Sequence, residues 1–386
     1  MVKGKSEGTE KIDQTGKPKQ KELSAFELSF IAEEMSVLID GKVDKIYQIN
    51  SQEFLFQFHI PSKGKRLLRL VLPSLIFLTK VKPETPEKPQ GFCMFLRKYL
   101  SNARVRDVRQ KGFERILEID FSAKEGAEIK KYIMVIELFR KGNVILCDEK
   151  MKIISPLENQ FWSDREIKKN EQYKYPDLRP DPFSINASEL AGMLGKSDKE
   201  SIVKFLAIEL SLGGVYAEEV CLMADVDKNE KPSKIKDIEK KSEKLVESLR
   251  GLKLKKINPK TIFKDELTFI DVTPIDLAHY KRHKSKSFET FDEAIDSEFA
   301  AEAVVEQQHE VVSKHDKEIE KVERMIKDQE KTIKNFSVSY EENQRKGELI
   351  YENYQVVKDI LDQLKKAREK HSWPEIKEKL KGHKLI

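Results

Sequence analysis

The chain has 386 residues, room for two or three domains and a sizeable core, with 72 Lys+Arg against 67 Asp+Glu and a formal net charge of +5. Its charged fraction of 36% is well above the ~25% of average domains, and the mean hydropathy of −0.59 puts much of that charge on extended, solvated surface. A balance this mild excludes a globally basic protein, so any RNA or DNA contact must come from local clustering.

Residues 1–22 hold no aromatic side chain and almost nothing apolar, which predicts a flexible tail. A helix is predicted from Leu23, with Ser24 as N-cap, Glu27 completing a capping box, and Phe26, Phe30, Ile31, Met35 and Leu38 on one face until Asp40-Gly41. Strand-like runs over Lys42–Ile49, Glu53–Ile60 and Arg66–Leu72, separated by Asn50-Ser51 and by Pro61–Gly64, read as an antiparallel meander. A Pro-rich link, Val81–Pro89, then leads to GFCMFLRKYLSNARVRDVRQKGFERILEIDF, Gly91–Phe121.

Here Phe92, Phe95, Leu96, Tyr99 and Leu100 recur at helical spacing with Arg97 and Lys98 beside them. Val105 and Val108 mark a strand, Lys111-Gly112 a turn, and Arg115–Phe121 alternates as a half-buried strand does. From Arg97 to Arg115 there are seven basic residues (Arg97, Lys98, Arg104, Arg106, Arg109, Lys111, Arg115) against Asp107 and Glu114, an excess as large as the net charge of the whole chain. That cluster is the expected nucleic-acid contact. A hairpin follows, with Lys131–Phe139 and Asn143–Asp148 flanking Arg140-Lys141-Gly142, where Gly142-Asn143 can supply positive φ. Residues 23–178 therefore read as a mixed, mostly antiparallel α+β domain.

From Pro180 short helical patterns take over. Ser201–Leu210 and Tyr216–Met223 flank Leu212-Gly213-Gly214-Val215, the outline of a helix-hairpin-helix domain over 179–256. The amides of Gly213 and Gly214 would then bind a phosphate without reading sequence, although an ordinary helical hairpin fits the same residues. Thr261–Ile275 reads as two more strands, so 257–300 is expected to return to the first sheet. Over 301–386 the expectation is a coiled coil: Val305, Gln308, Val312, His315, Ile319, Val322, Ile326, Gln329, Ile333, Phe336 and Tyr340 keep a heptad register without a slip. His315 is expected in the seam rather than at a metal. After Gly347 a second amphipathic helix is predicted, and the chain ends soon after Trp373-Pro374.

Cys93, Cys147 and Cys221 are far apart and never in a Cys-x-x-Cys pair, which argues against a disulfide framework or a zinc site and for buried thiols. No apolar run approaches the ~20 residues of a membrane span, and the N-terminus lacks the hydrophobic region of a signal peptide, so a cytoplasmic address and no membrane partner are expected.

Taken together and in order, LSAFELSFIAEEM with KVDKIYQ, GFCMFLRKYL followed by GFERILEIDF, FRKGNVILCDE, LSLGGVYAEEVC and RKGELIYENYQVV resemble the NFACT family, once labelled fibronectin-binding-like proteins. The resemblance covers nearly everything after the tail. It implies a first domain like the N-terminal fold of formamidopyrimidine-type DNA glycosylases, then a helix-hairpin-helix domain and a long coiled coil. It implies a ribosome-associated quality-control factor that binds the large ribosomal subunit (rRNA) holding a stalled peptidyl-tRNA nascent chain, recruits tRNA, and supports template-free C-terminal tailing. No cofactor is implied.

By position, the family's functional acid in the first helix falls on Glu27, and its Asp-Arg pair falls on Glu114-Arg115; both aspartates are glutamates here, which makes tailing less secure than RNA binding. Glu27 also has its capping-box role, and Glu114-Arg115 also reads as a surface ion pair at a strand start. Arg97 and Lys98 complete the expected tRNA contacts. The returning coiled-coil strand and the small C-terminal RNA-binding domain of the family do not fit after Leu364, which points to a truncated chain or a short form whose missing part a separate chain supplies.

The leading expectation is a non-enzymatic factor that positions aminoacyl-tRNA while the ribosome does the chemistry. A coiled-coil scaffold that binds only protein is the alternative from another class. A DNA glycosylase would need a nucleophilic amine at an ordered N-terminus, which Met1-Val2 does not offer, and the Cys set of a zinc finger. Extracellular fibronectin binding has no support in a sequence without an export signal.

Overall fold

The computed structural model describes residues 21–381 apart from 164 and 266–267, so the expected tail lies outside the described residues except for Lys21 and Glu22. Two compact units divide the chain, Met1–Ala303 and Val304–Ile386.

The first unit opens on α1 (Ala25–Glu34), begun by the capping box that the sequence announces: Ser24 accepts from the Glu27 amide and the Glu27 carboxylate accepts from the Ser24 amide. Next come β1 (Lys42–Gln48), β2 (Glu53–Ile60), β3 (Gly64–Val71) and β4 (Leu75–Thr79), then α2 (Gly91–Leu100), then β5 (Arg104–Gln110), β6 (Ile116–Glu125), β7 (Glu128–Glu137), β8 (Asn143–Asp148) and β9 (Ile153–Pro156). All nine strands form one sheet, ordered β4-β3-β2-β1-β5-β6-β7-β8-β9, in which every neighbouring pair is antiparallel. It is two meanders joined at β1 and β5, whose only Cα register pair is Lys42 with Arg104.

Alternate residues of β2, Phe54, Phe56 and Phe58, are fully buried and stack at 6.4 Å, as a period-two strand over a core requires. Leu28, Ile31 and Met35 from α1 and Cys93, Leu96 and Leu100 from α2 close that core. A smaller cluster around Ile116, Val135, Ile145 and Ile153 is closed by Ile167 and Tyr173, next to the short pair β10 (Gln160–Phe161) and β11 (Glu166–Ile167).

Four helices, α3 (Ala187–Lys196), α4 (Ile202–Glu209), α5 (Gly214–Ala224) and α6 (Ile238–Lys253), build a second core. Its apolar residues meet Ala25 and Phe26, on the side of α1 turned from the sheet, and Phe26 lies 4.8 Å from the Tyr216 ring. One short helix thus serves two cores. The return of 257–300 to the first sheet does not occur: β12 (Ile257–Phe263), β13 (Phe269–Ile275) and β14 (Lys284–Ser287) make a separate three-stranded sheet. What returns is apolar packing, since Val272, Phe291, Ala294 and Ile295 enter the first core.

Phe291 begins α7 (Phe291–Glu352), whose first two amides donate to the Glu34 carboxylate at 2.7 and 2.8 Å. Asp292 accepts from the Leu78 amide of the edge strand β4 at 2.8 Å, and Asp296 from the Lys80 amide just past its end at 3.0 Å. Burial, reinforced by Glu34, pushes the Asp292 carboxyl well above the ordinary carboxylate range.

In the second unit α7 runs past Gly347, which was expected to end it; a lone helical glycine costs only about 1 kcal/mol. The break falls at Asn353, before α8 (Tyr354–Arg368) and α9 (Trp373–Leu380). Heptad positions Ile319, Val322, Ile326, Ile333, Phe336 and Tyr340 are all exposed, so no partner helix closes that row among the described residues. The side chains of Val305, Gln308, Val312 and His315 lie outside the described residues.

Candidate functional site

The start of α1 carries more than a cap. Glu27 is buried, and its carboxylate takes the Ser24 amide at 2.8 Å, the Lys21 ammonium at 2.5 Å and the Tyr216 hydroxyl at 2.9 Å. Lys21 also reaches Asp271 on β13 at 2.6 Å, and Asp271 accepts from the Tyr280 hydroxyl at 3.0 Å. Burial opposes the charge on Lys21, yet Asp271 and Glu27 outweigh it and hold the ammonium pKa above its ordinary value. Tyr216, pushed well above its usual pKa by burial and then by Glu27, stays a neutral donor. Lys21 therefore belongs to the folded body rather than to a tail.

Gly213 and Gly214 stand at the entry of α5. Gly213 has φ +78 and ψ 160, a region open to glycine, and a Cβ there would meet the Ser24 Cβ at 3.0 Å. The connection from α4 therefore lies against the N-cap of α1, and Tyr216 projects onto Glu27 from the first turn of α5.

The third contribution is the turn between β5 and β6. Gly112 supplies φ +56, and the Gln110 side chain donates to the Ala25 and Glu114 carbonyls, both at 2.8 Å, tying the turn to α1. Glu114 and Arg115 do not pair with each other, contrary to the surface ion pair that the sequence allowed, because each finds a partner from a distant segment. Glu114 is buried and accepts from the Arg179 amide at 2.9 Å; the Arg179 guanidinium binds Ser211 at 2.7 Å and lies 3.9 Å from Glu114. Arg115 instead reaches Glu22 at 3.3 Å and the Pro73 carbonyl at 3.2 Å, and burial lowers its pKa against the pull of Glu22.

These pieces line one cavity of about 520 Å³. Glu27, Glu114, Arg115, Gly213 and Gly214, five of the seven residues singled out from sequence, share it. Arg140, Arg165 and Arg179 line it as well, and sequence reasoning assigned them nothing. Arg165 is held by Glu137, at 2.6 and 3.2 Å, in a buried pair to which Tyr173 adds its hydroxyl at 2.7 Å.

Arg97 and Lys98 are not among the lining residues. Where β1 and β5 part, the Ile46 carbonyl lacks a strand partner, and Arg97 supplies it with Nε at 2.8 Å and Nη2 at 2.6 Å. Lys98 is exposed, 5.4 Å from the Tyr99 ring. The basic run loses much of its excess on folding: Arg106 pairs with Asp40, and Arg109 pairs with Asp107, Glu118 and Asp120. Three of these acids, Asp40, Glu118 and Asp120, come from outside the counted stretch.

All three cysteines are buried and free, and burial pushes the Cys147 and Cys221 thiols up to about 12. Among the described residues no cluster of His, Cys, Asp and Glu could hold a metal ion, and no helix is long and apolar enough to cross a membrane.

A family model described as NFACT N-terminal and middle domains matches residues 24–384. The chain is similar to the archaeal Rqc2 homolog aRqcH of Methanocaldococcus jannaschii, 34% identical over 379 residues that cover 94% of this chain and 55% of that protein. It is also similar to the ribosome quality control complex subunit NEMF of Homo sapiens, 24% identical over 373 residues that cover 90% of this chain and 34% of that protein. The chain thus spans about half the archaeal relative and about a third of the human one. In fold it is like the fibrinogen binding protein from Staphylococcus aureus, with a TM-score of 0.58 at 20% identity over 71% of this chain and 97% of that one.

Proposed function

The chain belongs to the NFACT family, and on that premise we propose that it works in ribosome quality control, holding tRNA at the cavity between α1, the β5–β6 turn and α5. One observation carries this reading: three segments far apart in sequence bring Glu27, Glu114-Arg115 and Gly213-Gly214 to one place. Glu27 and Glu114-Arg115 are the positions that the family resemblance singles out, and Gly213-Gly214 is the glycine pair of the expected helical hairpin. Relatives named as ribosome quality control complex subunits support the setting, and the proposed partners are the large ribosomal subunit, its stalled peptidyl-tRNA and a recruited tRNA, in the cytoplasm.

The role is positional rather than enzymatic. Peptide-bond chemistry stays with the ribosome, and this chain contributes orientation of the tRNA. Glu27 shapes the site, since its carboxylate is already filled by Lys21, Tyr216 and the Ser24 amide. Arg115 is the contact, part-exposed and held to Glu22 by a single 3.3 Å pair that a phosphate can displace.

The test is tRNA cosedimentation with large subunits carrying peptidyl-tRNA, read beside a melting curve. Arg115→Ala and Arg115→Lys fold normally, keep subunit binding and lose tRNA recovery, because lysine lacks the planar fork. Unchanged recovery in a folded Arg115→Ala would sink the site. A second reading, a protein-binding coiled-coil scaffold, draws on the exposed heptad row of α7; absence of salt-sensitive RNA binding would favour it.

A further inference from the structure

Four arginines line the cavity, and three have acidic neighbours: Arg115 has Glu22, Arg165 has Glu137 and Arg179 has Glu114. Arg140 is the exception. It stands in the β7–β8 turn at φ +56, and its guanidinium makes no hydrogen bond or ion pair among the described residues. Its neighbour is the ring of Trp162, 5.1 Å from the guanidinium carbon, which orients the group without neutralising it. Arg165 lies over the same ring at 4.4 Å but spends its charge on Glu137. On the acidic side Glu22, Glu27 and Glu114 are all engaged, and Asp177 is the lining acid without a partner among the described residues.

A turn that places a long cationic side chain in the left-handed region, where glycine would be the easier residue, keeps an uncompensated charge at the rim of a cavity. A single fixed cation of this kind fits a phosphodiester, which needs charge and can approach from solvent. We propose that Arg140 is a further RNA contact of the cavity, binding a backbone phosphate of the tRNA, with Trp162 holding its guanidinium in place. This rests on the reading that the cavity receives tRNA. It assigns the contact to a residue outside the Glu27, Glu114 and Arg115 set.

The chain has two tryptophans, Trp162 and Trp373. In a Trp373→Phe background Trp162 is the one tryptophan left, its emission reports on the two guanidinium groups over its ring, and Arg140→Gly separates the Arg140 contribution from that of Arg165. Bulk deacylated tRNA is titrated into this protein and into its Arg140→Gly and Arg140→Lys variants, with affinity followed over a salt series. Glycine suits the positive φ, so loss of the side chain does not cost the fold.

The expected result is a Trp162 emission change on tRNA addition, absent in Arg140→Gly, together with a fall of about 0.9 in the slope of log affinity against log salt. Arg140→Lys restores most of the affinity, since a phosphate accepts a point charge, in contrast to the expectation for Arg115. Inorganic phosphate at matched concentration leaves the emission unchanged if the site is built for RNA; an equal response to it overturns the assignment to tRNA. If the parent protein binds tRNA and Arg140→Gly binds it with the same affinity and slope, the inference fails and the cavity reading stands. If the parent binds no tRNA, both fail.

Discussion

Arg97 and Arg115 begin and end one basic run of sequence, yet they come to opposite uses. Arg97 turns inward and gives two hydrogen bonds to the Ile46 carbonyl, repairing a ladder that β5 leaves open. Arg115 faces the cavity, with a quarter of its side chain exposed and one loose ion pair to Glu22. The run between them is largely cancelled by Asp40, Glu118 and Asp120. A charge count over adjacent residues therefore says little about the folded surface; what matters is whether the backbone nearby has spare acceptors to absorb the cations.

The contrast can be pressed by mutation. The largest effect is expected at Glu27, the buried hub of the cavity region: Glu27→Ala leaves Lys21 with Asp271 alone, removes the capping box and frees the Tyr216 hydroxyl. A loss of about 3–5 kcal/mol in denaturant unfolding is expected, and a loss below about 1 kcal/mol would mean that the network is not structural. Next comes Arg97→Ala, which strips the Ile46 carbonyl of its main donor and should cost about 1–3 kcal/mol while tRNA affinity and salt slope stay at the parent value. A selective loss of tRNA affinity with stability intact would put Arg97 back into the binding surface. The smallest effect is expected for Lys98→Glu: no measurable change in melting temperature and no change in tRNA cosedimentation. A drop in cosedimentation there would extend the interface over α2.

What was legible in the sequence was what local chemistry decides. The Ser24–Glu27 capping box, the alternation of β2, the α2–β5–β6 order and the β7–β8 hairpin all follow from spacing of three, four or two and from turn residues. The strand β4, Leu75–Thr79, has no clear sequence signal because LIFL is a short apolar run without the alternation that marks a half-buried strand. Lys21 reads as tail in the sequence because the composition around it is polar; its partner Asp271 lies 250 residues away. Glu114 and Arg115 read as a pair in the sequence because they adjoin, whereas their partners, Arg179 and Glu22, come from distant segments. Arg140 gave one signal, a basic residue where a hairpin turn calls for glycine or asparagine, and that position was assigned to Gly142-Asn143; both Arg140 and Gly142 carry positive φ.

The carboxylates of Asp292 and Asp296 on β4 carry a consequence in time. They accept one amide of a strand at the edge of a nine-stranded sheet and one just past its end, where uncovered donors are a template for pairing with another chain. Leu78 and Asp292 are 214 residues apart, so at ~5–20 residues per second the ribosome needs about 10–40 s to make the cover after it has made the edge. During that interval the first meander can fold while its rim stays open, and polysomes space several such rims along one message. Slower translation between β4 and α7 lengthens the exposure in proportion. The expected outcome is a soluble yield that falls as elongation between β4 and α7 is slowed, through two aspartates that arrive late.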